Sequence, residues 1–381
     1  MEEQHSRRQQ KIFRNVTLVQ AGLLKKSRRS LPTIIGLLVT FAVMIAATWG
    51  AHAYFSLHSA LVSMNGNNGS TATMTSARIA AKKPISILVL GVDQGLEGRN
   101  DKGNSDTIIL VTVNPTTKKA TMTSIPRDTL TEILGETSST SYYMFKVNSA
   151  YQFGGSSGSV KTVSAMLNVP INYYVEVNMK ALKGLVNALG GVDVNVPFSF
   201  SYDWCDFKKG KQYLDGRHAI AYARMRYDDP RGDYGRQLRQ RQIIQAVVKK
   251  GLSVNGLANY QKLLKVFAKY VKTNLTFGDM TSLAINYRGA ASNISSGYIQ
   301  GHDATISGTS FQIASTEELQ KWSNKLRKSL GLSTQTLTNQ ETRQNSLNET
   351  YNGVDFSSNE TITNYTIYEA NSITPRSSDS W

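Results

Sequence analysis

The chain has little of what most metalloproteins and secreted mini-domains rely on. Its 381 residues contain one cysteine, Cys205, which excludes an internal disulfide framework and a multi-cysteine metal cluster. Of five histidines, His5, His52 and His58 fall before residue 60. A histidine-based metal centre is therefore not expected from His218 and His302 alone. The chain has no GxxxxGK[ST] loop, no HExxH, no CxxC and no GxSxG; GSSGS at 155–159 lacks the final glycine. Nucleotide-loop, zinc-hydrolase and serine-hydrolase readings lose their main support. Acidic residues are the minority, 27 against 43 basic, for a net charge of +16. That imbalance implies an anionic partner: nucleic acid, a membrane surface, phosphate groups or an acidic polymer. With 40% apolar and 18% charged residues, a wholly disordered chain is also excluded.

One long stretch lacks charge altogether. Between 31 and 57 the sequence LPTIIGLLVTFAVMIAATWGAHAYFSL carries no charged residue, and about 20 such residues cross a bilayer as a helix. Trp49, Tyr54 and Phe55 stand at its far end, where an aromatic belt belongs. Eight basic residues precede it, opposed only by Glu2 and Glu3. The positive-inside rule puts 1–30 in the cytoplasm and everything beyond the span outside the cell membrane. A cleaved signal peptide would have a shorter apolar core of about 7–15 residues. This flank accounts for six of the sixteen net charges, so ten still call for an anionic partner.

Residues 58–82, rich in Ser, Asn, Gly, Thr and Ala, read as an extracellular linker. Periodic sequence begins at Lys83. Continuous β-branched runs at 85–93 and 107–114 predict strands covered on both faces, with further strands at 119–126, 171–178 and 192–197. Helical spacing appears at 159–169, 179–191, 214–227, 233–252, 257–275 and 315–330. Strands alternating with helices predict an α/β layered domain over 83–330. From 331 to 381 the chain is rich in Ser, Thr and Asn, and it reads as a low-complexity, disordered tail.

Acids and arginines fall at predicted element ends. Asp93 closes the first strand and Asp106 opens the second, so neighbouring strands could bring both carboxylates to one sheet edge. A carboxylate pair with phosphate oxygens is a normal Mg²⁺ environment. Arg127 and Asp128 follow the third strand; as a pair they could equally be a structural loop contact. The segment 222–242 holds Arg224, Arg226, Arg231, Arg236, Arg239 and Arg241 and no lysine, which suits forked recognition of phosphate or carboxylate. Arg224 and Arg226 converge only if the helix ends there. Asp233, Arg236 and Gln240 share one face near a helix start, where anions are favoured. Arg239 and Arg241 read as surface charges, His218 as a structural or surface residue, and Cys205 as inert packing.

GVD (91–93), NSDTIILVTVNP (104–115), SIPRDT (124–129), KVNSAYQFGG (146–155), YYVEVN (173–178), LGGVDVNVP (189–197), LDG (214–216) and YARMRYDDPRGDYGRQLRQRQII (222–244) resemble, in order, the LytR–CpsA–Psr family. The resemblance covers about 85–250. It implies an α–β–α sandwich with a mixed central sheet and an apolar tunnel. It also implies an extracellular phosphotransferase that moves an anionic glycopolymer from a polyprenyl-pyrophosphate lipid to peptidoglycan. Wall teichoic acid or capsular polysaccharide would be the polymer, joined by a phosphodiester. Position by position, it implies that Asp93 and Asp106 are Mg²⁺-associated. It implies that Arg127, Arg224, Arg226 and Arg236 hold the pyrophosphate, and that Asp233 and Gln240 belong to the same pocket. Arg99 would be a further arginine of that pocket. Asn104 stands where some members have an arginine, with Lys102 nearby as a substitute.

Phosphoryl transfer needs mainly positioning and charge neutralisation, which arginines and Mg²⁺ supply. Asp93 and Asp233 are both candidates for the base toward the acceptor hydroxyl. A membrane-bound transcriptional regulator is the reading from another class. It lacks a helix-turn-helix signal and places the arginines outside the cell, away from nucleic acid. A pyrophosphate hydrolase would use the same residues with water as acceptor. A non-catalytic polymer binder would keep its affinity without Mg²⁺ or Asp93.

Overall fold

The chain divides into Met1–His58 and Ser59–Trp381. The computed structural model describes residues 76–92, 103–135, 143–252, 266–267 and 269–376, all within the second unit. The expected basic segment 1–30, the span 31–57 and most of the linker lie outside the described residues. No described helix is long and apolar enough to cross a membrane.

The strands are β1 (Ile85–Val92), β2 (Ser105–Asn114), β3 (Lys119–Ile125), β4 (Leu130–Glu132), β5 (Met144–Lys146), β6 (Tyr173–Asn178), β7 (Val192–Val196), β8 (Phe200–Tyr202), β9 (Cys205–Phe207), β10 (Gly210–Leu214), β11 (Val271–Thr273), β12 (Ile294–Tyr298), β13 (His302–Ile306) and β14 (Thr309–Ile313). The helices are α1 (Ser149–Leu167), α2 (Met179–Ala188), α3 (Gly216–Arg224), α4 (Gly232–Gly251), α5 (Phe277–Asn286), α6 (Thr316–Ser329) and α7 (Gln340–Asn352). The central sheet runs β11-β6-β1-β2-β3-β12. It is mixed: β1 is antiparallel to β2 and parallel to β6, and β3 is antiparallel to β2 and parallel to β12.

Alternation along β1 sorts two cores. Leu88, Leu90 and Val92 join Ile108, Leu110 and Ile125 under α1 and α6, whose Val163, Met166, Trp322 and Leu326 are buried there. Ile85 and Ile87 point the other way, to Tyr173, Val175 and the Leu283 of α5. Helices thus cover both faces, which is why β1 and β2 read as continuous apolar runs rather than alternating ones. A third core joins α2, α3, β7 and the β8–β9 hairpin around Phe207 and Tyr222.

Three expectations are corrected. The domain starts before Lys83, because Ile79 is buried in the core beside β1 and Ser76 Oγ donates to Asp279 Oδ2 at 3.0 Å. The helix expected to reach 275 gives way to β11, which pairs with the edge of β6. The tail is folded from 331 to 376: α7 packs on β4 and α6, and Val354, Ile362, Tyr365 and Ile367 are buried with Phe311 and Ile313.

Candidate functional site

The site lies at the edge of the central sheet where β2 begins and β3 ends. In the β1–β2 ladder Gly91 faces Thr107 and Val92 faces Ser105, so Asp106 is the extra residue of a β-bulge. A bulge re-aims the side chain it carries. A Cβ on Gly91 would come within 2.7 Å of Thr107 Cβ, so the narrowing at this end of the ladder requires glycine.

Arg127, just past β3, donates from Nη1 to Asp106 Oδ1 at 2.8 Å. Its Nε lies 3.5 Å from Asp128 Oδ2, and Asp128 Oδ1 lies 3.1 Å from Lys146 Nζ on β5. The second half comes from the arginine-rich segment. Helix α3 ends at Arg224, and Met225 turns extended at φ −53, ψ 135. That break lets Arg226 reach back, its Nε 3.8 Å from Asp233 Oδ1. Arg236, one turn into α4, brings Nη2 to 2.6 Å of the same oxygen, and Gln237 Nε2 donates to Asp233 Oδ2 at 2.9 Å.

The halves are in electrostatic contact. Burial draws the Arg236 guanidinium below its ordinary pKa, with Arg127 and Arg226 adding to the effect and Asp233 and Asp106 opposing it. Burial also acts against Arg127, but Asp106, Asp128 and Asp233 outweigh it and raise that group. Arg127 Nε and Arg236 Nε are buried and have no hydrogen-bond partner. Buried donors are satisfied in nearly all native proteins, so orphaned guanidinium N–H groups at one sheet edge mark a place for an anion.

The structure joins Asp106, Arg127, Arg226, Asp233 and Arg236. Gln240 is buried one turn further along the same face of α4. Arg224 is exposed and forms no ion pair among the described residues. Asp93, Arg99 and Lys102 lie outside the described residues, and Asn104 is exposed. Lys146 is a site cation that sequence reasoning missed, although it opens the KVNSAYQFGG block; β5 pairs antiparallel with β4 and sets it opposite Leu130.

Arg239 and Arg241 are a correction: neither is a surface charge. Arg239 is fully buried, bonded to the Asp229 carboxylate, the Met225 carbonyl and, at 3.0 Å, the Tyr222 carbonyl. It therefore braces the turn that carries Arg226. Burial works against the charge on Asp229, but hydrogen bonds from Arg231 and Arg239 outweigh it and hold that carboxyl below its ordinary value. Arg241 bonds Ser296 Oγ at 2.7 Å and Ser124 Oγ at 2.5 Å, fastening α4 to β12 and β3. Burial brings its guanidinium down to about 10. The structure places His218 beside Asp215, 2.8 Å from Nδ1 to Oδ1, and buries Cys205.

For a divalent ion, no group of three or more His, Cys, Asp or Glu exists among the described residues. Asp106 keeps one oxygen free of Arg127, and its hard oxygen chemistry suits Mg²⁺, which rarely sits in an all-protein cage. Among the described residues Asp106 alone offers such an oxygen, which fits an ion held mainly by phosphate oxygens.

A mixed, helix-covered sheet with guanidinium groups set against carboxylates at its edge defines an α/β protein built to hold a multiply charged phosphate-type anion. Residues 51–328 match the model of the LytR_cpsA_psr family, and the chain belongs to that family. Among relatives, a "Polyisoprenyl-teichoic acid--peptidoglycan teichoic acid transferase TagU" of Enterococcus faecalis is 45% identical over 249 residues, 65% of this chain and 80% of that one. The protein of the same name from Bacillus subtilis is 38% identical over 307 residues, 80% of this chain and 98% of its own. A solved structure described as "TagT bound to LI-WTA" superimposes with a TM-score of 0.55 at 29% identity, covering 66% of this chain and 92% of that one.

Proposed function

We propose that this chain is a transferase that moves a teichoic-acid-type anionic glycopolymer from a polyprenyl-pyrophosphate carrier to peptidoglycan, forming a phosphodiester. The observation that carries the reading is the pair of orphaned Nε–H groups on the Arg127 and Arg236 guanidiniums, gathered with Arg226 around two carboxylates. Arg127, Arg226 and Arg236 bind the pyrophosphate and neutralise charge that builds on it in the transition state. Arg224, exposed at the end of α3, serves the outer phosphate or the glycan. Asp106, with Asp93, would hold Mg²⁺ in company with phosphate oxygens. When bound, the ion polarises the phosphoryl oxygens and steadies the leaving phosphate. Asp233 has both oxygens engaged, by Arg236 and Gln237, so it orients Arg226 and Arg236.

The membrane span at 31–57 would hold the site at the outer surface of the cell membrane, beside the lipid carrier. A regulator acting on DNA is disfavoured, because Arg127, Arg236 and Arg239 turn inward onto Asp106, Asp233 and Asp229 instead of lining an exposed helix face.

The test incubates the full chain with a polyprenyl-pyrophosphate-linked glycan and peptidoglycan oligomers, with and without Mg²⁺, and follows products by mass spectrometry. A Mg²⁺-dependent glycan–phosphate–peptidoglycan adduct is expected. Free glycan phosphate alone would make the chain a hydrolase, and no turnover with the lipid still bound would make it a binder.

A further inference from the structure

The two halves of the site come from distant parts of the chain. Arg127 and Asp128 follow β3, whereas Arg226 and Arg236 gather on Asp233 at the start of α4. Among the described residues no ion pair crosses between the halves. The longer-range forces fix no distance, because Arg127 is drawn by the Asp233 carboxylate and repelled by the Arg236 guanidinium. A strut from the β13–β14 hairpin joins them. Gln312 of β14 lies beside the first half: its N–H donates to the Asp128 carbonyl at 2.9 Å, and its backbone forms a parallel bridge with Thr129. Its side chain reaches the second half, where the hydroxyl of Tyr234, the residue after Asp233, donates to Gln312 Oε1 at 2.9 Å.

Each part of this joint has one arrangement. Gln312 Nε2 donates to the Asp303 carboxylate of β13, and an ionised carboxylate only accepts, so the amide oxygen must face Tyr234. The Gly301 N–H donates to the Tyr234 oxygen at 2.9 Å, and the Tyr234 ring packs on Tyr298 with centroids 4.7 Å apart. Burial lifts the Tyr234 phenol to about 12, so it keeps the proton it donates. A Cβ on Gly301 would come within 2.8 Å of Gln312 Oε1, so glycine there leaves the amide its place. Arg241 fastens α4 to β3 and β12 about two turns further on. Tyr234 fastens the turn that carries Asp233. We infer that the Tyr234–Gln312 pair sets the spacing between Arg127 and the Arg226–Arg236 pair, so that both phosphates of a pyrophosphate are held at once. This positioning role rests on the pyrophosphate reading of the site and gives Tyr234 and Gln312 no contact with the anion itself.

The test titrates the full chain in detergent, by calorimetry, with inorganic pyrophosphate and with orthophosphate. Pyrophosphate spans both halves and orthophosphate fills one, so the ratio of their affinities reads the spacing. Tyr234→Phe removes the hydroxyl and keeps the ring on Tyr298. We expect it to raise the dissociation constant for pyrophosphate about tenfold, the scale of one lost hydrogen bond. Orthophosphate affinity and the binding stoichiometry should not change. A merely structural role would lower the stoichiometry or weaken both anions alike, and either result would overturn the proposal, as would unchanged pyrophosphate affinity. Gln312→Met cuts the same bond from the other side and keeps its N–H on Asp128. It should match Tyr234→Phe, and the double variant should bind no more weakly than either single one. Additive losses would show two separate roles and overturn the pairing. A natural chain that holds pyrophosphate no better than orthophosphate would remove the pyrophosphate reading of the site, and this role with it.

Discussion

Gly235 is the position where one hydrogen atom decides the geometry of the arginine turn. A Cβ there would lie 1.9 Å from Asp229 Oδ2, so only glycine lets the Asp229–Arg239 pair sit against the first turn of α4. Gly235→Ala raises helix propensity, yet we expect it to lower stability by about 2–4 kcal/mol through overpacking and loosening of a buried pair. Thermal melts check this, and an unchanged melting temperature would refute it. Arg226→Ala should leave the melt unchanged and reduce transfer by about 10²–10³-fold, the scale of losing one preorganised charge contact. Wild-type rates would take Arg226 out of the mechanism. Asp106→Ala should weaken the response of transfer to Mg²⁺ titration, and an unchanged metal response would remove Asp106 from the ion. Much at this scale was legible. Arg226, Arg236 and Asp233 stand in a run of arginines interrupted by turn residues, and such a run announces phosphate chemistry. What the run does not announce is which arginines are partly exposed and which are buried. Arg236 and Arg239 differ by three positions on one helix, and only the packing of α4 against α3 separates an anion ligand from a brace.

Among the elements, α7 was the least legible. Its buried face is made of Glu341, Gln344, Asn345 and Asn348 rather than apolar residues, so no hydrophobic stripe betrays it. Those amides serve the backbone of the last segment: Gln344 bonds both groups of Tyr368 at 2.8 and 2.9 Å, and Asn348 both groups of Thr366 at 2.8 and 2.7 Å. Glu341 reaches toward the site instead. It accepts from Thr131 Oγ1 at 2.6 Å and from the Glu132 N–H at 2.9 Å, fixing β4 just after Arg127 and Asp128. Burial lifts the Glu341 carboxyl above its ordinary value. A raised folded-state pKa means the folded chain binds the proton more tightly than the unfolded one. That stabilisation is full below the ordinary carboxylate pKa and is lost as pH rises through the folded value. Glu341→Gln keeps an acceptor and removes the titration. We therefore expect its melting temperature to pull ahead of the natural chain's as pH rises from about 4. Glu341→Ala orphans two donors and should be about 1–3 kcal/mol less stable than Glu341→Gln at any pH. A pH-independent gap between Gln and Glu would refute the assignment.

For the whole molecule, the sheet and its two covering layers followed from periodicity, because β1 and β2 are buried on both faces. The short edge strand β11 did not, since three residues after a helix carry no periodic signal. The larger misreading was the tail. Were it disordered, removing 331–381 would be harmless. Because Val354, Ile362, Tyr365 and Ile367 complete the core around Phe311, we expect that deletion to give an aggregating protein with lost near-ultraviolet circular dichroism. A soluble, fully active product would refute this.

That same closure sets a schedule for the chain's birth. Strand β3 waits for β12, β1 waits for β6, and the loop after β3 waits for α7, some two hundred residues downstream in synthesis order. While the polypeptide is still being synthesised, its central sheet has an open edge and Arg127 has no fixed neighbourhood. A chain stalled before α7 emerges would be the form most exposed to proteases and to self-association.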